Sequence, residues 1–297
     1  MEQTGTIALA SEDMSPTTPL WRYMKLTTLL MLLRGRVFIP TISTLRRDDP
    51  FEAICRGSKA KAYFENPPQE VASMLERDAR ANERSNLSYN NPMDPTCVPI
   101  GEIYYGIWDR LRAPRLAIWC WQGSEIESMA LWNQYADRTG VAIRTNVGKL
   151  IAAFEASPQA IPALLGKVRY DEDEDSANFL QPYFWKRPSY KHESEVRLII
   201  PWENNGWRPG ILMEINAATL LEKIVISPHV IPSEAHKVRE FLQHALKQSL
   251  MEDIVEISDE RNLGMSYGDV LSPFLHDRTD SPIAPTNRLL FADGRQP

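Results

Sequence analysis

Hydrophobic residues set the local period of the chain. Leu20-Trp-Arg-Tyr-Met24 reads as a short strand, and Leu26, Leu29, Leu30 and Leu33 then recur at helical spacing. Thr27 or Thr28 is expected to open that helix and Gly35 to end it, with Arg36 to Pro40 as a second strand. Leu116 to Trp121 is apolar enough for a buried strand. Ser124 with Glu127 three residues later forms a capping box that predicts a helix to about Asp137. Gly140 closes it, and Val141 to Thr145 is the next strand. Further strands are expected over Glu193 to Ile200 and Lys223 to Ile226. A helix from Ser233 follows, with Val238, Phe241, Leu242, Ala245 and Leu246 in one apolar stripe.

Residues 65–100 show no sustained period and read as a helix near Glu70 to Arg84 followed by an extended loop. No repeat recurs at a fixed spacing. Strands and helices alternate irregularly, which predicts an α+β fold with a mixed sheet and flanking helices rather than a regular doubly wound one.

Composition narrows this picture only a little. The 297 residues are 43% hydrophobic and 24% charged, enough to bury a substantial core. No Gly/Ser- or Pro-rich linker divides the middle, so a single domain is expected over 19–275, with disordered tails over 1–18 and 276–297. A net charge of -6 gives no footprint for wrapping duplex nucleic acid, although a local basic groove is compatible with it. The start of the chain lacks a secretory pattern, and Leu26 to Leu33 is too short to span a membrane, so a cytoplasmic protein is expected. Cys55, Cys97 and Cys120 suggest neither a disulfide framework nor a zinc cluster, and Cys120 reads as a small core residue.

Chemistry is concentrated in a few polar constellations. In Lys191-His-Glu-Ser-Glu-Val-Arg-Leu-Ile-Ile200, strand alternation places Glu193, Glu195 and Arg197 on one face and Val196, Leu198 and Ile200 on the other. Neighbouring carboxylates split their protonation, which suits one group that stays ionised beside another that accepts a proton; a solvated Arg–Glu face is the plainer reading. Asp48-Asp-Pro-Phe-Glu52 gathers the acids Asp48, Asp49 and Glu52 in a turn. Trp132 and Tyr135 lie one turn apart on the capped helix and present a mixed aromatic and hydroxyl surface, or pack in the core. The acid run Asp171-Glu-Asp-Glu-Asp175 lacks the spaced ligands and glycine of a calcium loop, and His192, His229, His236, His244 and His276 have no metal-ligand spacing. No phosphate-cradling glycine loop or nucleophile elbow occurs.

Leu20-Trp-Arg-Tyr-Met24, Asp49-Pro-Phe-Glu52, Glu127-Ser-Met-Ala-Leu-Trp-Asn-Gln-Tyr-Ala-Asp137, Gly140-Val-Ala-Ile143, and Lys186 with Glu193-Ser-Glu-Val-Arg197 resemble, as an ordered set over about residues 18 to 260, the prokaryotic domain of unknown function 2971 family. That family usually has Asn where Asp48 stands. More distantly, a strand bearing Arg, a short helix, a second strand and a late Glu-x-Glu strand resemble the ADP-ribosyltransferase plan, including its DNA-modifying toxin branch. The resemblance implies an ADP-ribosyltransferase-like fold using NAD on a nucleic-acid or protein acceptor, in a bacterial setting of phage defence. Carried over, Arg22 would hold the dinucleotide, Glu195 would stabilise the ribosyl transition state, and Glu193 would orient or deprotonate the acceptor. Arg197 and Lys186 would be phosphate or carboxylate partners, with Tyr135 and Trp132 as the aromatic contribution. Two other readings stay open: a non-catalytic sensor that binds a small ligand on the same face, and a magnesium-dependent nuclease or hydrolase whose acids Asp48, Asp49, Glu52 and Glu195 gather the metal.

Overall fold

The computed structural model describes residues 7–54, 73, 113–136, 139–170, 181–202, 208–247 and 252–259. By internal contacts the chain divides into units 1–258 and 259–297, and of the second only Asp259 falls among these. Apart from Ser73, which is helical, the helix expected over Glu70 to Arg84 lies outside the described residues, as do the acid run from Asp171 to Asp175, Cys55, Cys97, His276 and the tail 276–297.

An eight-stranded mixed sheet organises the first unit. Its strands are β1 (Ile7–Leu9), β2 (Pro19–Met24), β4 (Leu116–Gly123), β5 (Val141–Asn146), β6 (Ala163–Lys167), β7 (Glu195–Pro201), β9 (Lys223–Ile226) and β10 (Val255–Ile257). They lie in the order β1-β6-β7-β4-β2-β5-β9-β10. The two edge pairs are parallel and the interior pairs antiparallel. β3 (Arg36–Pro40) leaves this sheet and pairs with β8 (Gly210–Glu214) in a separate two-stranded ribbon. The fold is therefore α+β with a large mixed sheet, as the irregular alternation predicts.

Each face of the sheet buries its own set of residues. On one, Leu20, Met24, Trp119, Trp121, Ile143, Val196, Leu198 and Ile200 form the main core. It is covered by α1 (Leu26–Leu33), α4 (Val147–Glu155), α6 (Pro232–Leu246) and the apolar side of the ribbon. On the other, Trp21, Tyr23, Ala142 and Val225 pack under Leu131 and Trp132 of α3 (Met129–Tyr135). Farther along that second face, Leu116, Ile118 and Ile199 pack with Ile42 of α2 (Ile42–Leu45) and with Tyr183 and Phe184.

Several local expectations change. β1 lies inside the expected disordered stretch 1–18, tied in by pairing Ile7–Leu9 with Ala163–Leu165, and Met14 is buried in the main core. α1 starts at Leu26, after an uncapped Lys25, because burial of Leu29 and Leu32 rather than a threonine cap fixes it. The Ser124–Glu127 box is not used. Ser124 closes a local turn with Ile126, and the helix begins after Ser128, whose Oγ accepts the Leu131 N–H. Glu127 instead accepts the Trp132 indole N–H and the Ser258 hydroxyl. Phe241, expected in the buried stripe of α6, is half exposed, and Ala235, Leu242 and Leu246 carry the burial. α5 (Ala217–Leu220) is a further short helix of this unit.

Gly210 marks the tightest backbone approach in the ribbon. A Cβ there would lie 2.3 Å from the Ile39 carbonyl oxygen and 2.6 Å from the Phe38 ring. The carbonyl belongs to the paired strand and moves only with it. Gly210→Ala should therefore destabilise the protein by about 1–3 kcal/mol, read as a lower denaturant midpoint at unchanged slope.

Candidate active site

The second face of the sheet is polar between its two apolar clusters. Cross-strand register sets Gln122 opposite Glu195 and Cys120 opposite Arg197. Glu195 and Arg197 share this face, as period-two spacing predicts, with Val196, Leu198 and Ile200 on the other. The solvated-face reading fails, because Glu195 is 5% and Arg197 0% exposed.

Glu193 departs from the prediction. It ends a 3₁₀ turn (Pro188–Glu193), and Ser194 in the left-handed region (φ 42°, ψ 49°) swings the chain into β7. The swing is held on both sides: the Ser194 carbonyl accepts the Gly123 N–H, and the Glu195 N–H donates to the Tyr170 hydroxyl. Glu193 thus meets the site from the side rather than from the strand face.

Two buried cations draw three carboxylates together. Arg197 donates from Nε and Nη2 to the two oxygens of Glu195, each at 3.0 Å, and from Nη1 to the Tyr183 carbonyl at 2.7 Å. Its Nη2 also lies 2.6 Å from Glu52 Oε1, close but out of line for a hydrogen bond. Lys186 Nζ sits 2.6 Å from Glu193, 3.5 Å from Glu195 and 3.7 Å from Glu52. Arg46 clamps the Glu52 loop through the carbonyls of Glu52 and Ala53, where Ala53 has a φ of 53°. Ala53 and Ser194 are the two non-glycine residues with positive φ among the described residues, and each adjoins a carboxylate of this cluster. Strained backbone held in this way is characteristic of functional sites.

The electrostatics follow from that packing. Burial alone would push the Glu195 carboxyl up, but the Arg197 guanidinium and Lys186 ammonium outweigh it and bring it down to about 2. Burial would likewise lower Lys186, yet Glu195, Glu52 and Glu193 hold it above the usual lysine range. Tyr135 is raised by burial of its hydroxyl and by Glu193, so it stays a donor. Its O–H donates to Glu193 at 2.9 Å, beside Gln134 Nε2 at 3.3 Å from the same oxygen.

Arg22 reaches the cluster from β2. The β2–β4 ladder ends at Trp21 opposite Gln122, and beyond it Arg22 donates from Nη1 to the Cys120 carbonyl. Burial lowers the Arg22 guanidinium, while Cys120, Tyr135 and Glu195 act on it in the opposite direction. Arg22 thus bonds to β4, the strand that lies between β2 and β7.

The other expected residues divide. Trp132 is fully buried, its ring edge-on to Tyr23 at 4.9 Å, so it serves the core and offers no surface to a ligand; Tyr135 on the same helix is 46% exposed and joins the cluster. Of the acidic turn, Glu52 is in the cluster, Asp49 pairs with Arg187 at 2.9 Å, and Asp48 is exposed. Cys120, read as core from its apolar neighbours, packs against the apolar cluster of this face, and burial followed by the Glu195 carboxylate raises its thiol. Gln134, Tyr170, Arg187 and Cys120 are the site-lining residues that sequence reasoning did not find. Among the described residues no His, Cys, Asp and Glu side chains group to hold a metal ion, and no helix is long and apolar enough to cross a membrane.

No protein-family model, curated protein or solved structure matches the chain.

A depressed carboxyl contributes stability that is complete above its ordinary value of 4.5 and is lost as pH falls toward 2. Denaturant titrations should show wild type losing on the order of 3 kcal/mol more than Glu195→Gln between about pH 5 and about pH 2. Arg197→Met, which leaves Glu195 and Glu52 without their guanidinium, should cost about 3–5 kcal/mol at neutral pH. Adding Glu195→Leu to it should recover most of that loss.

Proposed function

We propose that this chain is an ADP-ribosyltransferase-like enzyme that takes NAD and transfers its ADP-ribosyl group to a nucleic-acid or protein acceptor. The observation that carries the reading is the buried Glu195 carboxylate at the head of β7, gripped by Arg197 beside Lys186, with the Arg22 side chain of β2 reaching the Cys120 carbonyl of the intervening β4.

The donor set fits such a substrate. Arg22 supplies a guanidinium for a phosphate, and Tyr135 a half-exposed ring with a protonated hydroxyl. Glu195, kept ionised by Arg197 and Lys186, faces the positive charge that develops on the ribosyl group as its bond to nicotinamide breaks. The bonding pair leaves with nicotinamide. The acceptor's lone pair forms the new bond to the ribosyl carbon, and its proton passes to Glu193, directly or through the Tyr135 hydroxyl. Membership of the domain of unknown function 2971 family, a cytoplasmic location and a role in phage defence belong to the same proposal.

One observation favours the non-catalytic alternative. Both Glu195 oxygens are already held by Arg197, which suits a rigid ligand-binding face as well as a catalytic anion. The magnesium reading has less support, because Lys186 and Arg197 stand among the three converging acids where a metal site needs open carboxylate oxygens.

Incubation with labelled NAD and a mixture of DNA, RNA and protein tests the reading. Glu195→Gln should lower nicotinamide release and label transfer a hundredfold or more with NAD affinity little changed, whereas Arg22→Gln should weaken NAD binding itself. Folded wild type that binds NAD yet neither releases nicotinamide nor transfers label would move the assignment to the sensor reading.

A further inference from the structure

The two-stranded ribbon has an apolar outer face that the rest of the chain leaves open. Val37, Ile39, Ile211 and Met213 enter the main core. Strand alternation turns Arg36 and Phe38 of β3, with Leu212 and Glu214 of β8, to the other side. Phe38 is 43% and Leu212 51% exposed, and the two stand directly opposite each other in register. The Phe38 ring lies across Gly210, whose lack of a side chain leaves it room. At one end of the same face Arg36 stands opposite Glu214, and both are exposed. Among the described residues neither charged group has an ion-pair partner.

We propose that this face is the contact of a two-fold dimer with a second copy of the chain. Two kinds of rotation axis in the plane of contact could stack one ribbon on another. An axis across the strands would set Arg36 over Pro40 of the second copy and leave the charges at opposite ends. An axis along the strands keeps their directions and lays β3 over β8 of the second copy. Each residue then meets the one opposite it in register, so Phe38 meets Leu212 and Arg36 meets Glu214, twice each. The result is an apolar centre with opposite charges at its rim, in the aligned geometry that stacked sheets adopt.

Burial of Phe38 and Leu212 from both copies drives the association, and the charges fix its orientation. Strands of five residues give a small contact beside the about 800 Å² per partner of a standard interface, so the dimer is weak and depends on concentration. The ribbon covers the main core, on the face of the sheet opposite the carboxylate cluster. The dimer and the transferase reading therefore stand or fall independently.

Sedimentation velocity of the full chain over a range of concentrations reads the mass in solution. Wild type should pass from one chain to two as concentration rises. Phe38→Ser and Leu212→Ser should each raise the dissociation constant about tenfold or more. Arg36→Glu and Glu214→Arg, which set like charges against each other across the two-fold, should do the same. An equimolar mixture of those two charge variants should recover the dimer, because each presents the charge that the other lacks. A role of the Arg36–Glu214 pair within one chain would restore the double variant but not the mixture. Thermal melts at low concentration check that each variant is folded. Wild type with the mass of one chain at every concentration, a dimer indifferent to these substitutions, or a mixture that stays monomeric overturns the proposal.

Discussion

Two buried cations have to be neutralised, and much of the second face of the sheet is arranged to do it. Lys186 and Arg197 are taken out of water by the apolar clusters on either side, at a solvation cost of several kcal/mol per ion unless anions meet them in good geometry. The anions come from three separate places: the loop after α2, the 3₁₀ turn before β7, and the first residue of β7. Ala53 and Ser194 accept an unfavourable backbone conformation beside those carboxylates, which is the local cost of bringing them in. α3 is then tied to the cluster by Tyr135, and β2 by Arg22 through the Cys120 carbonyl.

The neutralisation is uneven, and the unevenness bears on chemistry. Arg197 is fully enclosed and spans Glu195 and Glu52, with its remaining donor on a backbone carbonyl, an arrangement that orients Glu195 more than it exposes it. Lys186, by contrast, connects the enclosed Glu195 to Glu193, and Glu193 in turn contacts the half-exposed Tyr135. A route of hydrogen-bonded groups therefore runs from a buried permanent anion to the surface of α3.

Much of the fold was readable from periodicity alone, since β2, β3, β4, β5, β7 and β9 are each set by apolar alternation or by a short apolar run. The parting of β3 from the main sheet was not readable, because its own five residues do not specify which strand they pair with. In the site, Glu195 and Arg197 were legible as a same-face pair. The position of Glu193 was not, because an ordinary serine adopts the left-handed conformation and breaks the alternation that spacing assumes. Trp132 and Tyr135 carry the same sequence signal and part company only because α3 lies with one on the core and the other at its margin. Cys120 was hidden by apolar neighbours that face the other side of β4, and Glu52 was visible as an acid in a turn with nothing to announce its burial.

Charge balance connects the arrangement to the proposed chemistry. Three carboxylates against Lys186 and Arg197 leave the cluster one negative charge in excess, and the Arg22 guanidinium across β4 compensates it at a distance. In the proposed reading Arg22 turns to a phosphate when a dinucleotide binds. Its attraction for Glu195 then weakens while Arg197 and Lys186 keep that carboxylate ionised. The excess charge is left facing the position where positive charge develops, in surroundings that screen it far less than water. Apolar residues of similar volume would pack this face at equal or lower free energy if folding were its sole task. An ionic cluster with strained backbone on two sides, a carboxylate in excess of its two cations and a path to the surface has the form expected when electrostatic preorganisation, rather than stability, sets the choice of side chains.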